Sequence, residues 1–100
     1  MKKAIQIDGK DNVATVTSDV EDGETVEVLS PNGEAIGRPG SLGPVPFGHK
    51  LALVDFEKGD RVIKYGEVIG VASRGIVVGE WVHVHNVESA TVPTSAYREE

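Results

Sequence analysis

The sequence predicts an all-β domain, a compact set of short, folded-over strands, and three observations predict it. Apolar residues make up 39% of the 100 positions and are dominated by Val and Ile, which are stiff at χ1 and favour pleated sheet. Twelve Gly and five Pro imply frequent turns, and no segment supports a long helix. A short pattern also recurs three times, as "VEDGETV" (20–26), "FEKGDRV" (56–62) and "IVVGEWV" (76–82). Each copy reads apolar residue, two others, Gly, acid, any residue, Val. The physical reading is a corner: the apolar residue plugs the core, Gly takes a backbone angle costly for other residues, and Val restarts a strand. The unequal spacing between copies excludes a solenoid.

The elements follow in order. "KAIQI", "VATVT" and "ETVEVL" are strand candidates in the first third, separated by "DGKDN" and the first corner and closed by the turn "SPNG". Residues 37–48, "GRPGSLGPVPFG", are so dense in Gly and Pro that they read as a loop crossing the surface. Beyond it, "HKLALVDF", "RVIKYG", "EVIGVAS" and "EWVHVHNV" carry the densest strand signal. Residues 1–88 form one domain, and 89–100, "SATVPTSAYREE", form a polar tail or linker.

Composition limits function. A domain this small buries only roughly two-thirds of the surface of its unfolded chain. Ten basic and sixteen acidic residues give a formal charge of −6, which disfavours nucleic acid and anionic membrane surfaces as partners. The chain has no cysteine, so it anchors no disulfide, thiolate metal site or iron–sulfur cluster. No apolar run has the length of a signal peptide or of a membrane span, which makes the cytoplasm the default compartment.

Two of the three histidines lie in "WVHVHN" (81–86). Strand alternation sends Val82 and Val84 to one face and Trp81, His83 and His85 to the other. Two imidazoles at i and i+2 stand close enough to share one cation, and imidazole suits Zn, Fe, Mn, Ni and Cu. His49, just after the Gly/Pro loop, is the third. Spacing alone leaves the pair open between metal or substrate binding and solvated strand positions whose acidic neighbours Glu80 and Glu88 raise their proton affinity. Lys64 and Tyr65, at a strand-to-turn segment, are within the reach of a carboxylate-binding role. Asp55 and Asp60 flank the second corner, where acids hydrogen-bond turn backbone. Ser41, Ser73 and Ser89 have no neighbouring base in sequence, so no nucleophilic triad is indicated.

Residues 46–87 resemble the N-terminal domain of the altronate and galactarate dehydratase family, a SAF-type module with a β-clip fold. The resemblance is carried by Gly48, His49, Lys50, Ala52, Leu53 and Asp55, then by "GD-VIKYGEVIG", then by "GEWVHVHN". Val54 is a departure, since the family often has arginine there. The resemblance implies the small component of a two-component, metal-assisted hydro-lyase that dehydrates sugar acids and needs a separate large catalytic chain. It implies a divalent metal, Fe2+ or Mn2+, shared with that chain. His83 and His85 are then metal or substrate-site contributors, and His49 is a third ligand or an acid–base group. Lys50 pairs with the substrate carboxylate, and Asn86 supplies an amide hydrogen bond. Two rivals stand beside this reading: the small subunit of a sulfolactate sulfo-lyase, which expels sulfite instead of water, and a non-catalytic SAF binding or assembly module. Exposed strand edges leave room for a homodimer.

Overall fold

The computed structural model describes residues 1–89; the expected tail lies, from residue 90 onward, outside the described residues. The described residues form nine strands and no helix: β1 Lys2–Ile5, β2 Val13–Val16, β3 Val26–Leu29, β4 Ala35–Gly37, β5 Lys50–Ala52, β6 Arg61–Lys64, β7 Glu67–Ala72, β8 Trp81–Val82 and β9 Val87–Glu88. They make a six-stranded sheet in the order β4-β3-β1-β2-β5-β8 and a three-stranded sheet in the order β6-β7-β9. The all-β fold class follows directly. Among the described residues, no helix is long and apolar enough to cross a membrane.

Two small cores explain why the strands look almost continuously apolar. Ala14, Val16 and Leu51 join Val20, Val26, Val28 and Val45 in the first core. Val13, Ala52 and Val82 join Phe56, Val62 and Ile76 in the second. Thus β2, β5 and β8 lie between the cores and feed one with each face, so both alternate positions must be apolar.

The repeated corner is real. Val20, Phe56 and Ile76 are buried, as are Val26, Val62 and Val82. Gly23, Gly59 and Gly79 have φ of 87°, 93° and 96°, a region costly for residues with a Cβ. The acid has a definite task. Carboxylates of Glu24, Asp60 and Glu80 accept the backbone N–H groups of Glu21, Glu57 and Val77 at 2.7, 2.8 and 2.7 Å, which closes each turn. Asp55 also binds turn backbone, accepting the Val78 N–H at 3.0 Å.

A fourth corner lies inside the segment expected to be a surface loop. Val45 is fully buried, Gly48 has φ of 83°, and Leu51 restarts the buried strand. The corners associate in pairs: Val20 and Val45 exchange backbone hydrogen bonds of 2.9 and 2.8 Å, and Phe56 and Ile76 exchange bonds of 2.7 and 3.0 Å. The loop therefore crosses the core as well as the surface, because Val45 is the plug that its partner corner requires. In this fourth copy the position after Gly is His49 instead of an acid. The position two before Gly is Pro46, which has no N–H for an acid to accept.

Candidate functional site

The site begins with that exception. Freed from closing its own turn, His49 leads into β5, where its backbone is held from both sides. Its N–H donates to the Pro46 carbonyl at 3.0 Å, and its carbonyl accepts the Val16 N–H at 2.9 Å. Strand β5 pairs antiparallel with β8, Lys50 opposite Val82 and Leu51 opposite Trp81. Continued by one residue, this register places His49 opposite His83, and cross-strand neighbours touch. Their ring centroids are 4.8 Å apart in an edge-on arrangement.

Trp81 gathers the three histidines. Its ring stacks on His83 at 5.6 Å with planes 10° apart and meets His85 at 5.1 Å. Its indole Nε1–H donates to His49 Nδ1 at 3.1 Å. The shared face of Trp81, His83 and His85 is as the alternation requires, but the strand itself is not. It ends at Val82, and His83–Asn86 is a turn closed by the Asn86 N–H on the His83 carbonyl at 3.0 Å. Val84 consequently points away from the core and is 80% exposed, whereas strand alternation would keep it on one face with the buried Val82.

Asn86 explains the break. It is fully buried, its Oδ1 accepts the His83 N–H at 2.9 Å, and its Nδ2 donates to the Trp81 carbonyl at 2.9 Å. The amide hydrogen bond expected of Asn86 thus goes to its own turn, and its part in the site is to hold the backbone that carries Trp81 and His83.

Lys50 is half-buried at the rim of a shallow depression of about 260 Å3, lined also by His83, Ile69, Val84, Val87 and Glu88. Desolvation, then the nearby Lys64 charge, lowers its pKa. Lys64 ends β6 and holds its Nζ 4.9 Å from the centre of the Tyr65 ring. Tyr65 sits at the β6–β7 hairpin tip with φ of 61°. The buried Asp11 carboxylate accepts its N–H at 3.1 Å and that of Gly66 at 2.8 Å. Asp11 therefore fixes the hairpin from which the Lys64 charge acts on Lys50. In the turn segment "DGKDN" nothing local distinguishes this buried acid from an exposed turn acid.

The histidines meet, but not as a cage. Among the described residues, no group of three or more His, Asp or Glu side chains is arranged to hold a metal ion. The expected set of His49, His83 and His85 does not by itself fit one. Glu80, one of the acids beside the pair, has its carboxylate turned to its own corner, where it accepts the Val77 N–H at 2.7 Å. Instead the His83 pKa is lowered, first by desolvation, then by His49, Lys50 and His85.

The pH consequence has a definite sign. With its folded-state pKa below the ordinary imidazole value, His83 is protonated more readily in the unfolded chain. The neutral ring thus contributes stability that is present above about pH 6.5 and lost as pH falls through its folded-state value. Urea midpoints measured from about pH 7.5 down to pH 5.5 are expected to fall, and His83→Gln is expected to flatten the decline. An equally steep decline in the variant would assign it to another group.

Residues 2–90 match the model of the altronate/galactarate dehydratase SAF domain. The chain is 35% identical over 89 residues to altronate dehydratase of Bacillus subtilis, an alignment covering 89% of this chain and 17% of that protein. It is 39% identical over 94 residues to altronate dehydratase of Escherichia coli, covering 94% of this chain and 18% of that protein. Over 45 residues it is 49% identical to the (2R)-sulfolactate sulfo-lyase subunit alpha of Chromohalobacter salexigens, covering 45% of this chain and 48% of that subunit. The chain therefore spans less than one-fifth of the length of these dehydratases and about half of this sulfo-lyase subunit. All of the described fold falls within the matched region, and the chain belongs to the altronate/galactarate dehydratase SAF-domain family.

Proposed function

We propose that the chain is the SAF component of a two-component lyase that dehydrates sugar acids of the altronate or galactarate type, with a large catalytic chain as its partner. The observation that carries this reading is the cross-strand meeting of His49 and His83 beside the half-buried Lys50, in a chain that matches the dehydratase SAF domain over residues 2–90. A substrate carboxylate next to Lys50 would offset the desolvation of its ammonium group and the nearby Lys64 charge. Elimination breaks a C–H bond next to that carboxylate, forms the enol C=C bond and releases the β-hydroxyl, with a proton, as water. Imidazoles suit the proton transfers this requires. The depression at Lys50 is too open to complete the reaction alone, so the remaining walls and acid–base groups belong to the large chain. A divalent ion such as Fe2+ or Mn2+, if shared between the chains, would supply electrostatic stabilisation of the developing negative charge. Its ligands would then come mainly from the partner, since no group of three or more His, Asp or Glu among the described residues is arranged to hold an ion.

The sulfo-lyase reading is favoured by one observation. The chain is 47% identical over 45 residues to a second sulfo-lyase subunit alpha, from Paracoccus pantotrophus, covering 67% of that subunit. On that reading the same face holds a sulfonated hydroxy acid and sulfite is the leaving group.

The test is to recover tagged chain from its host and assay the eluate on altronate, galactarate and sulfolactate. A large lyase chain should co-purify, and Lys50→Met should lower kcat/KM about tenfold or more, mainly through KM. Release of sulfite from sulfolactate alone would select the sulfo-lyase. A lone chain without activity on any of the three would select a non-catalytic binding module.

A further inference from the structure

We propose that Trp81 is a positioning residue that fixes His49 in the tautomer with its proton on Nε2, which makes His49 a hydrogen-bond donor toward the substrate and not a metal ligand. The argument begins with the backbone. Three corners use an acid after Gly to accept the N–H two residues before it. At the fourth, Pro46 offers no N–H, and His49 takes that place without having to turn back on its own corner. Its main chain is nevertheless held by Pro46 and Val16, so the ring starts from a fixed Cα.

The ring is then fixed by chemistry. An indole Nε1–H can only donate. Its 3.1 Å bond to His49 Nδ1 requires a lone pair on Nδ1, and a neutral imidazole with a bare Nδ1 has its proton on Nε2. A metal at Nε2 would need the opposite tautomer, which would set an Nδ1–H against the indole N–H. Ring contacts support the placement: His49 stands edge-on to both rings of the Trp81–His83 stack, with centroids 5.4 Å from Trp81 and 4.8 Å from His83. Of the two roles expected for His49, third metal ligand or acid–base group, the hydrogen bond removes the first and narrows the second to donation from Nε2, because the ring's single lone pair is already held by the indole. The tautomer stands on this geometry alone, whereas its use toward a sugar-acid oxygen rests on the lyase reading above.

The experiment uses the full chain labelled with 15N, at about pH 8.5, where an ordinary imidazole is neutral. Long-range imidazole spectra should show His49 protonated at Nε2 and bare at Nδ1, with a scalar coupling across the hydrogen bond to Trp81 Nε1. Trp81→Phe should abolish the coupling and admit the second tautomer. The wild-type coupling needs no substitution, so the test survives a variant that fails to fold. Mn2+ added to the wild-type chain alone should leave the His49 Nε2 signal intact. A proton on Nδ1, an indole N–H uncoupled to His49, or selective Mn2+ broadening at Nε2 would each overturn the proposal. None of these readouts depends on turnover, so a failed lyase assay and a failed tautomer assignment remain separate results.

Discussion

Asn86→Ala is expected to cost about 2–4 kcal/mol of stability, because it strands two backbone groups at once. The buried amide accepts from the His83 N–H and donates to the Trp81 carbonyl, each at 2.9 Å. Alanine leaves both without their partner and adds a small cavity. A domain of this size has a total margin of only about 5–15 kcal/mol, so the loss is a large fraction of it. Asn86→Asp separates the two bonds. Its carboxylate still accepts from the His83 N–H but turns a second oxygen toward the Trp81 carbonyl, where acceptor faces acceptor. It should therefore destabilise well beyond what its nearly unchanged shape suggests. Urea unfolding at constant m-value measures both. The ring-current shifts of His83 and His85 should collapse with stability, because the amide holds the turn that keeps His83 stacked on Trp81 and His85 tilted against it. An Asn86→Ala chain of wild-type stability would show that the turn holds itself.

How much of this was legible depends on which residues carry the signal. The β-branched runs and the three glycine corners gave the fold class, since both are local requirements of backbone and side chain. The fourth corner was not visible. Its plug and glycine, Val45 and Gly48, are present, but Pro46 removes the N–H that gives the acid its purpose, so His49 stands where a pattern built on acids fails. Strand β4, Ala35–Gly37, was also missed; it is exposed throughout and lacks any alternation. The histidine segment was half legible. "W-x-H-x-H" placed three rings on one face, and they are there, but the alternation runs on past Val82 while Asn86 pulls the backbone into a turn. That outcome depends on burial of one amide, which spacing does not encode. Asp11 shows the same limit, because whether an acid in a Gly/Asp/Asn turn is solvated or buried under a distant hairpin is a tertiary fact.

Gly79→Ala is expected to be the most damaging of the corner substitutions, and comparison with Gly59→Ala isolates the reason. Both glycines have positive φ, 93° at Gly59 and 96° at Gly79, so each alanine pays left-handed strain of about 1–2 kcal/mol. At Gly59 a Cβ meets nothing within 4 Å, and strain is the whole cost. At Gly79 the Cβ would run into the Gly40 carbonyl oxygen, with Leu42 Cγ at 3.6 Å behind it. Overpacking then adds about 1–3 kcal/mol, for a total of about 2–5 kcal/mol. Gly59→Asn should recover much of the strain, because Asn tolerates the left-handed region, while Gly79→Asn should not. The damage at Gly79 also reaches the site. The Leu42 N–H donates to the Gly79 carbonyl at 2.9 Å, so the segment that delivers His49 to β5 is docked on the corner that launches Trp81 into β8. Forcing the two apart should therefore loosen the Trp81–His49 hydrogen bond as well as the fold. Equal unfolding losses at Gly59 and Gly79 would mean that the 40–42 backbone yields at no cost and that the docking does not align the two strands.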